Sequence, residues 1–329
     1  MKAAFLTEMG FEGKIPANHL NFRTEFCWMF TLGADHFNIH TYEKVKGYDI
    51  VFIIFPKAMV KLNAFGVEMT TTIPDKDISI YSKPIVEVLK QNNKKVCYIQ
   101  EGPHWLFNEY DMATQFHFYN QLAECDILFA HNQSDVKFYK GLFPGKKIDV
   151  IPTLMIAPPL SEPSEKQNKA IIGGNFCRWY GGFQSYMVAS TFECPIYVPS
   201  SHCKRPGEEQ VPNLIHLPWV NWTQWMQQLS NFKYAVNLMP TVAAGTFSLN
   251  CAYWGIPCIG NRDMDTQQTL FPGLSVNVYD IKTAIDLADL IKDTTPYNNH
   301  SGHAREVLQS SYHFDQARWL AYIEKVINE

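Results

Sequence analysis

The sequence predicts an α/β protein of two Rossmann-like domains, each a parallel sheet covered by helices on both faces. Three observations carry this. Apolar runs of strand length alternate with stretches of helical spacing, and they do so twice within 329 residues. Most of the runs are apolar at successive positions, which marks strands buried on both faces. A proline-rich polar stretch interrupts the alternation near the middle of the chain.

In the first half the strand-like runs are Lys2 to Thr7, His36 to His40, Ile50 to Phe55, Lys95 to Gln100, Ile127 to His131 and Ile148 to Ile151. Helical spacing covers Asn21 to Leu32, Pro84 to Gln91, Met112 to Glu124 and Ser134 to Leu142. Pro152, Pro158, Pro159 and Pro163 then lead into the polar segment Ser161 to Lys169. Proline has no amide donor, so neither a helix nor a central strand continues through them. The alternation restarts with strands at Ala170 to Gly173, Ile196 to Val198, Leu214 to Leu217, Tyr234 to Leu238, Pro257 to Gly260 and Leu274 to Val278. Helices are expected at Phe183 to Ser190, Trp222 to Ser230, Ser248 to Trp254 and Ile281 to Asp293, with Ser301 to Ser310 and Phe314 to Ile327 closing the chain. This places the domains at residues 1–155 and 169–312, with 313–329 a last helix packing back toward the first domain.

Composition narrows the function classes. The chain is 46% hydrophobic and 18% charged, which suits packed cores and excludes a disordered chain. Net charge is −4, with sixteen basic against seventeen acidic residues up to residue 160 and twelve against fifteen beyond it. Neither half is a basic nucleic-acid module. The eight cysteines show no short paired spacing of the zinc type, and several sit inside apolar runs where a thiol acts as a small hydrophobe. A reducing cytoplasm is expected. The apolar stretch at Met1 to Thr7 is too short for a signal sequence, and no run approaches the roughly 20 apolar residues of a membrane span.

The segment richest in chemistry runs from Gly245 through Thr246, Phe247 and Asn250 to Trp254, then through the turn Gly255-Ile256-Pro257 to Gly260. A helix start preceded by glycine offers free backbone N–H groups and a positive dipole end, a match for a diphosphate. This segment resembles the donor-binding half of the GT-B glycosyltransferases, in which a loop and helix bind a nucleotide-sugar and a small residue, Gly, Val or Ile, and Pro lead into the next strand. The resemblance implies two Rossmann-like domains facing a central cleft, with the nucleotide-sugar, in expectation a UDP-sugar, in the second and the acceptor in the first. Many retaining members carry two glutamates eight positions apart here; the matching positions are Val242 and Asn250. Asn250 then stands as a candidate ribose contact through its amide.

Gly173 to Gly182 follows the first strand of the second domain, at the carboxyl end where open sheets bind ligands. Gly174 and Asn175 there allow close backbone approach, and Arg178 presents a planar fork to a phosphate or stacks on Trp179 or Tyr180. The glycine spacing is not that of a dinucleotide fingerprint, which disfavours nicotinamide chemistry. The same resemblance implies that Leu217 to Trp222 is the loop that flanks the base, with Trp219 and Val220 as contacts, while Trp222 and Trp225 have the spacing of a core-facing helix stripe.

In the first domain the ends of two strands carry ionisable groups: Glu8 and Glu12 after the first, Glu101 and His104 after the fourth. An inverting transferase needs one base for the acceptor hydroxyl, and Glu101, His104 and Glu12 are the candidates, Glu101 first. His19 and Arg23, in a polar stretch that opens an aromatic-rich helix, and Trp105 are candidate acceptor contacts; the same stretch also suits a helix cap. Asp263 and Asp265 look like a metal pair but precede a helix and are expected to cap it, so no obligatory metal is expected. The opening Phe5-Leu-Thr-Glu-Met-Gly10, with Asn21 to Trp28, resembles bacteriophage glycosyltransferases, some of which act on hydroxymethylated bases in DNA. That implies 5-hydroxymethylcytosine in phage DNA as acceptor, with the host cytoplasm as location. Lys137, Lys140, Lys146 and Lys147 would then follow the phosphate backbone, and Trp105 or Phe107 would hold a flipped base. A saccharide or small-molecule acceptor, a sugar-nucleotide epimerase and a non-enzymatic sugar-binding protein are the other readings of the same features.

Overall fold

A computed structural model describes residues 1–7, 11–16, 19, 24–55, 85–93, 95–105, 112–158, 165–199 and 206–329. The chain divides into two units, one comprising Met1–His19, Glu25–Pro152 and Asp315–Glu329, the other Leu20–Thr24 and Thr153–Phe314.

Successive side chains point to opposite faces of a strand, so a sheet covered on both sides needs strands that are apolar at every position. The first unit supplies them in β1 (Ala3–Thr7), β4 (Ile50–Ile53), β5 (Lys95–Ile99) and β6 (Ile127–Ala130), where nearly every residue is buried. With β2 (Gly13–Lys14), β3 (Asp35–Asn38) and β7 (Lys147–Val150) they form one sheet in the order β2-β3-β1-β4-β5-β6-β7. Every pairing is parallel except that of the two-residue β2 with β3. Helices α1 (Glu25–Leu32), α2 (Ile85–Asn92), α3 (Met112–Glu124) and α4 (Gln133–Leu142) belong to this unit. Phe52, Phe55, Tyr98, Phe118 and Phe129 are fully buried in it, each worth about 1.5–3 kcal/mol of apolar burial.

The second unit is a six-stranded, wholly parallel sheet in the order β10-β9-β8-β11-β12-β13. Its strands are β8 (Gln167–Ile172), β9 (Ile196–Pro199), β10 (Leu214–Leu217), β11 (Phe232–Asn237), β12 (Cys258–Asn261) and β13 (Ser275–Val276). The chain runs outward from β8 to β10 and returns to β11 on the other side of β8, so the order reverses between β8 and β11. Helices α5 (Gly182–Ala189), α6 (Trp222–Leu229), α7 (Thr246–Trp254), α8 (Asp265–Leu270), α9 (Ile281–Leu290) and α10 (Thr294–Val307) accompany it. Ala170, Ile171, Ile172, Ala235, Val236 and Ile259 form the centre of its core.

The last helix, α11 (Gln316–Asn328), belongs to the first unit. Its Trp319 meets the buried Trp28 edge-on at 6.0 Å, Tyr322 donates to the Val150 carbonyl at 2.7 Å, and Lys95 donates to the Ile327 carbonyl at 2.6 Å. An α-helix starting at Thr294, seven residues earlier than the apolar pattern suggests, is the main departure from the expected elements, while the short α8 is the helix expected after Asp263 and Asp265. Asp263 and Asp265 do not cap α8: the N-cap is the buried Met264, and Asp265 lies in the first turn, where its charge suits the dipole.

Candidate functional site

In an open α/β sheet the ligand crevice forms at the carboxyl ends of the strands where their order reverses. In the second unit that is the end of β8 and β11, and the local sequence is shaped around it. Gly173 follows β8, and a Cβ there would come within 2.6 Å of the Asn237 amide oxygen. Gly174 has φ +73°, and a Cβ there would come within 2.2 Å of the Tyr180 ring. Gly181 has φ +62°, and any side chain there would collide with the Leu238 carbonyl. These three positions let two loops approach with backbone alone. Thr241 ties the loops together by donating to the Trp179 carbonyl at 2.6 Å.

Two amide oxygens in this crevice lack hydrogen-bond partners among the described residues, those of Asn175 and the buried Asn237. A buried acceptor left unpaired costs about 1–3 kcal/mol, so each marks a place where a donor group is wanted. Arg178 is exposed, and its guanidinium stacks on Trp179 at 3.9 Å from the ring centroid. Stacking fixes the plane of the fork.

Helix α7 begins at the same end of the sheet. Gly245, its N-cap, has φ +72° and no side chain caps the helix. The Gly245 carbonyl is held by the Thr266 hydroxyl at 3.0 Å, and Thr153 donates to the Ala244 carbonyl. The first-turn amides, at Thr246, Phe247 and the residues after them, have no intrahelical acceptor, and no acidic side chain offsets the positive end. Asn250 requires a correction. It is 2% exposed, and its amide donates to the Thr246 carbonyl at 3.1 Å and accepts from the Trp225 indole at 3.0 Å, with oxygen and nitrogen assigned by these partners. It joins α6 to α7 and is not available to a ribose hydroxyl.

Trp219 is 63% exposed in the loop after β10, whereas Trp222 is buried. Val220, Gln224, Gln227 and Gln228 line an open depression beside that loop. Asn221 and Gln224 form a reciprocal capping box that fixes where α6 begins.

In the first unit, Gln100, Glu101, Gly102 and His104 follow β5. The His104 imidazole lies against Phe138 at 4.2 Å, and its Nδ1 is 2.7 Å from a carboxylate oxygen of Asp135, a fully buried residue in the first turn of α4. Asp135 was not among the sequence candidates. A lone Asp at a helix start reads as ordinary N-terminal charge, and nothing local shows that β5 delivers a histidine to it. Glu101 is exposed, and Trp105 half-buried. Glu12 also needs correction as a base: hydrogen bonds from Lys44 and Thr41 hold its carboxyl below the usual range, which weakens it as a proton acceptor. His19 stacks on Phe26 at 4.9 Å and lies tilted against Phe11 at 5.4 Å. Glu8, Arg23 and Phe107 lie outside the described residues.

The lysine stretch does not make one face. Lys137 and Lys140 are exposed on α4, but Lys146 is half-buried and donates to the Cys125 carbonyl, and Lys147 opens β7. The start of β7 is at the amino ends of these parallel strands, opposite the end that carries His104. Among the described residues no group of three His, Cys, Asp or Glu side chains could hold a metal ion, and no helix is long and apolar enough to cross a membrane.

No protein-family model matches the sequence, and no curated protein matches it. Solved structures do match. Anabaena HepE in complex with UDP-glucose aligns over 99% of each chain with TM-score 0.67 at 11% identity. T4 phage BGT in complex with UDP and Mn2+ aligns over 100% of each chain with TM-score 0.56 at 13% identity. TarM aligns over 88% of this chain and 57% of its own, with TM-score 0.63 at 10% identity, so the chain spans little more than half the length of that relative. The fold is that of the GT-B glycosyltransferases.

Proposed function

We propose that the chain is a glycosyltransferase that takes its sugar from a nucleotide-sugar, with the donor diphosphate between the loop after β8 and the start of α7. The observation that carries this is the crevice itself: glycine-lined backbone, two amide oxygens unpartnered among the described residues, and an uncapped helix start, with an indole-stacked arginine on the loop after β8. The amides of Thr246 and Phe247 and the Arg178 guanidinium complement phosphate oxygens, while Asn175 accepts from a sugar or ribose hydroxyl. Trp219 and Val220 flank the base. The structural likeness to chains solved with UDP or UDP-glucose supports UDP-sugars as the donors to try first.

The test is calorimetry with UDP-glucose and with adenine and guanine nucleotide-sugars. Binding of one of them, weakened by Arg178→Ala, is the expected result; no binding by any donor sinks the proposal.

A hydroxyl on DNA is a second, narrower reading of the acceptor. It is favoured by the end-to-end alignment with T4 phage BGT and opposed by the dispersed lysines. Supplying the bound donor with hydroxymethylcytosine DNA and with unmodified DNA, then weighing the nucleosides, decides it. Added hexose mass on the modified DNA alone supports the reading, and transfer only to a saccharide or small acceptor replaces it.

A further inference from the structure

We propose that His104 is the base that takes the acceptor proton and that the buried Asp135 is its positioning residue. This rests on the transferase reading and deepens it, since that reading leaves the base open between Glu101 and His104.

The geometry distinguishes the two. Asp135 is fully buried and has three polar neighbours: its Oδ1 lies 2.7 Å from His104 Nδ1, and its Oδ2 accepts from Gln100 Nε2 at 3.2 Å and Asn132 Nδ2 at 3.4 Å. A carboxylate only accepts, so the proton of the neutral ring sits on Nδ1 and the lone pair on Nε2. The ring is clamped on its face by Phe138 at 4.2 Å, and the histidine side chain remains 27% exposed. Among the described residues no group hydrogen-bonds Nε2. Gln100 also donates to the Gly102 carbonyl at 2.7 Å, which binds the turn carrying His104 to the same carboxylate. The whole device stands at the carboxyl end of β5 and the amino end of α4, the side on which open sheets bind substrates. Glu101 is exposed on a turn with Gly102 at φ +69°.

Among the described residues, the other titratable groups facing the pair include Glu101 from the β5 loop, His131 from the end of β6 and the Tyr139 phenol of α4, which burial pushes up and Asp135 pushes further. His131 is held below the ordinary imidazole range by burial, with Asp135 opposing that shift, so it is neutral beside the dyad.

In the reaction, Nε2 removes the proton from the acceptor hydroxyl as the acceptor oxygen bonds to the anomeric carbon. The bond from that carbon to the donor phosphate oxygen breaks, and its electron pair leaves with the nucleoside diphosphate. The imidazolium, stabilised by Asp135, returns its proton to solvent.

The experiment uses the full chain with UDP-glucose, follows UDP release across a panel of hydroxymethylcytosine DNA and saccharide acceptors, and measures UDP binding separately. His104→Ala is expected to lower kcat by at least about 100-fold, leave UDP affinity unchanged and remove the acid limb of the kcat profile. Added imidazole should restore part of that turnover. Asp135→Asn is expected to lower kcat about tenfold or more while leaving KM and UDP affinity unchanged, and Asp135→Glu is expected to recover part of that loss. A purely structural prop would lower stability and UDP affinity along with kcat, and restoring a carboxylate would not recover turnover alone. Should Asp135→Asn fail to fold, the half-exposed His104 variant still decides the matter. Wild-type turnover in His104→Ala, or an acid limb that Glu101→Gln removes and His104→Ala keeps, overturns the assignment while the transferase reading stands. A wild-type chain that binds none of the uridine, adenine and guanine nucleotide-sugars, or binds one and transfers from it to nothing in the panel, overturns that reading and this assignment together.

Discussion

The arginine stacked on Trp179 is exposed, so its contact with a phosphate is worth the lower part of the range for charged hydrogen bonds. Arg178→Ala should therefore weaken nucleotide-sugar binding by about 1.5 kcal/mol, roughly tenfold, as read by calorimetry. Unchanged affinity removes Arg178 from the site. A second prediction at this scale concerns pH. His36 and His131 are both held below the ordinary imidazole value of 6.5, chiefly by burial. The unfolded chain then binds more protons than the folded one over the interval below about 6.5, so stability falls as pH falls through it. Thermal melts between pH 7.5 and 5 should show the first unit losing stability on acidification, and His131→Phe should flatten that slope; an unchanged slope excludes His131 as its source. These effects differ in how far the sequence shows them. Arg178 is legible because it sits in a glycine-rich loop after a strand, and the stacking on Trp179 was one of its two readings. Asp135 is not, because its meaning depends on a residue 31 positions away on another strand end.

At the level of elements, hydrophobic runs made most strands legible because strands buried on both faces leave no polar interruptions to blur them. Elements that depend on other contacts leave little trace, α8 only the acidic pair at its start. The two-residue β2 exists only by pairing with β3, and α8 is a six-residue helix whose Gln267 is buried, donating to the Cys258 carbonyl at 2.8 Å and accepting from Ser248 at the same distance. A polar segment that folds because its glutamine is satisfied inside a core has no apolar period to read. Loop closure around the crevice supplies the test at this scale. Gly181→Ala places a methyl group into the Leu238 carbonyl in a left-handed conformation, so one of the two loops must move. The expected loss is about 2 kcal/mol or more of stability, well above the roughly 1 kcal/mol for Asn221→Ala, which removes only the cap of α6. Chemical denaturation measures both. Equal effects would mean that the close approach of the two loops is not retained in solution.

For the whole molecule, the fold alone does not choose where a donor binds, because each sheet has a point where its strand order reverses, at β1 and β4 in the first unit and at β8 and β11 in the second. The side chains choose. At the end of β1, the Thr7 hydroxyl is paired with the buried His36 at 2.7 Å, whereas the end of β8 opens into glycines, with acceptors at Asn175 and Asn237 unpartnered among the described residues and an uncapped helix nearby. A ligand that satisfies those groups stabilises the unit that holds them and not the other. Saturation with UDP-glucose at 100 times its dissociation constant should stabilise the folded second unit by about 2.7 kcal/mol. Hydrogen exchange should then show added protection at Gly173 to Gly182 and at the amides of Thr246 and Phe247, with the strands of the first unit unchanged. Protection at the end of β1 or β4 instead would move the donor to the first sheet and leave the crevice beside Asn237 without its assigned ligand.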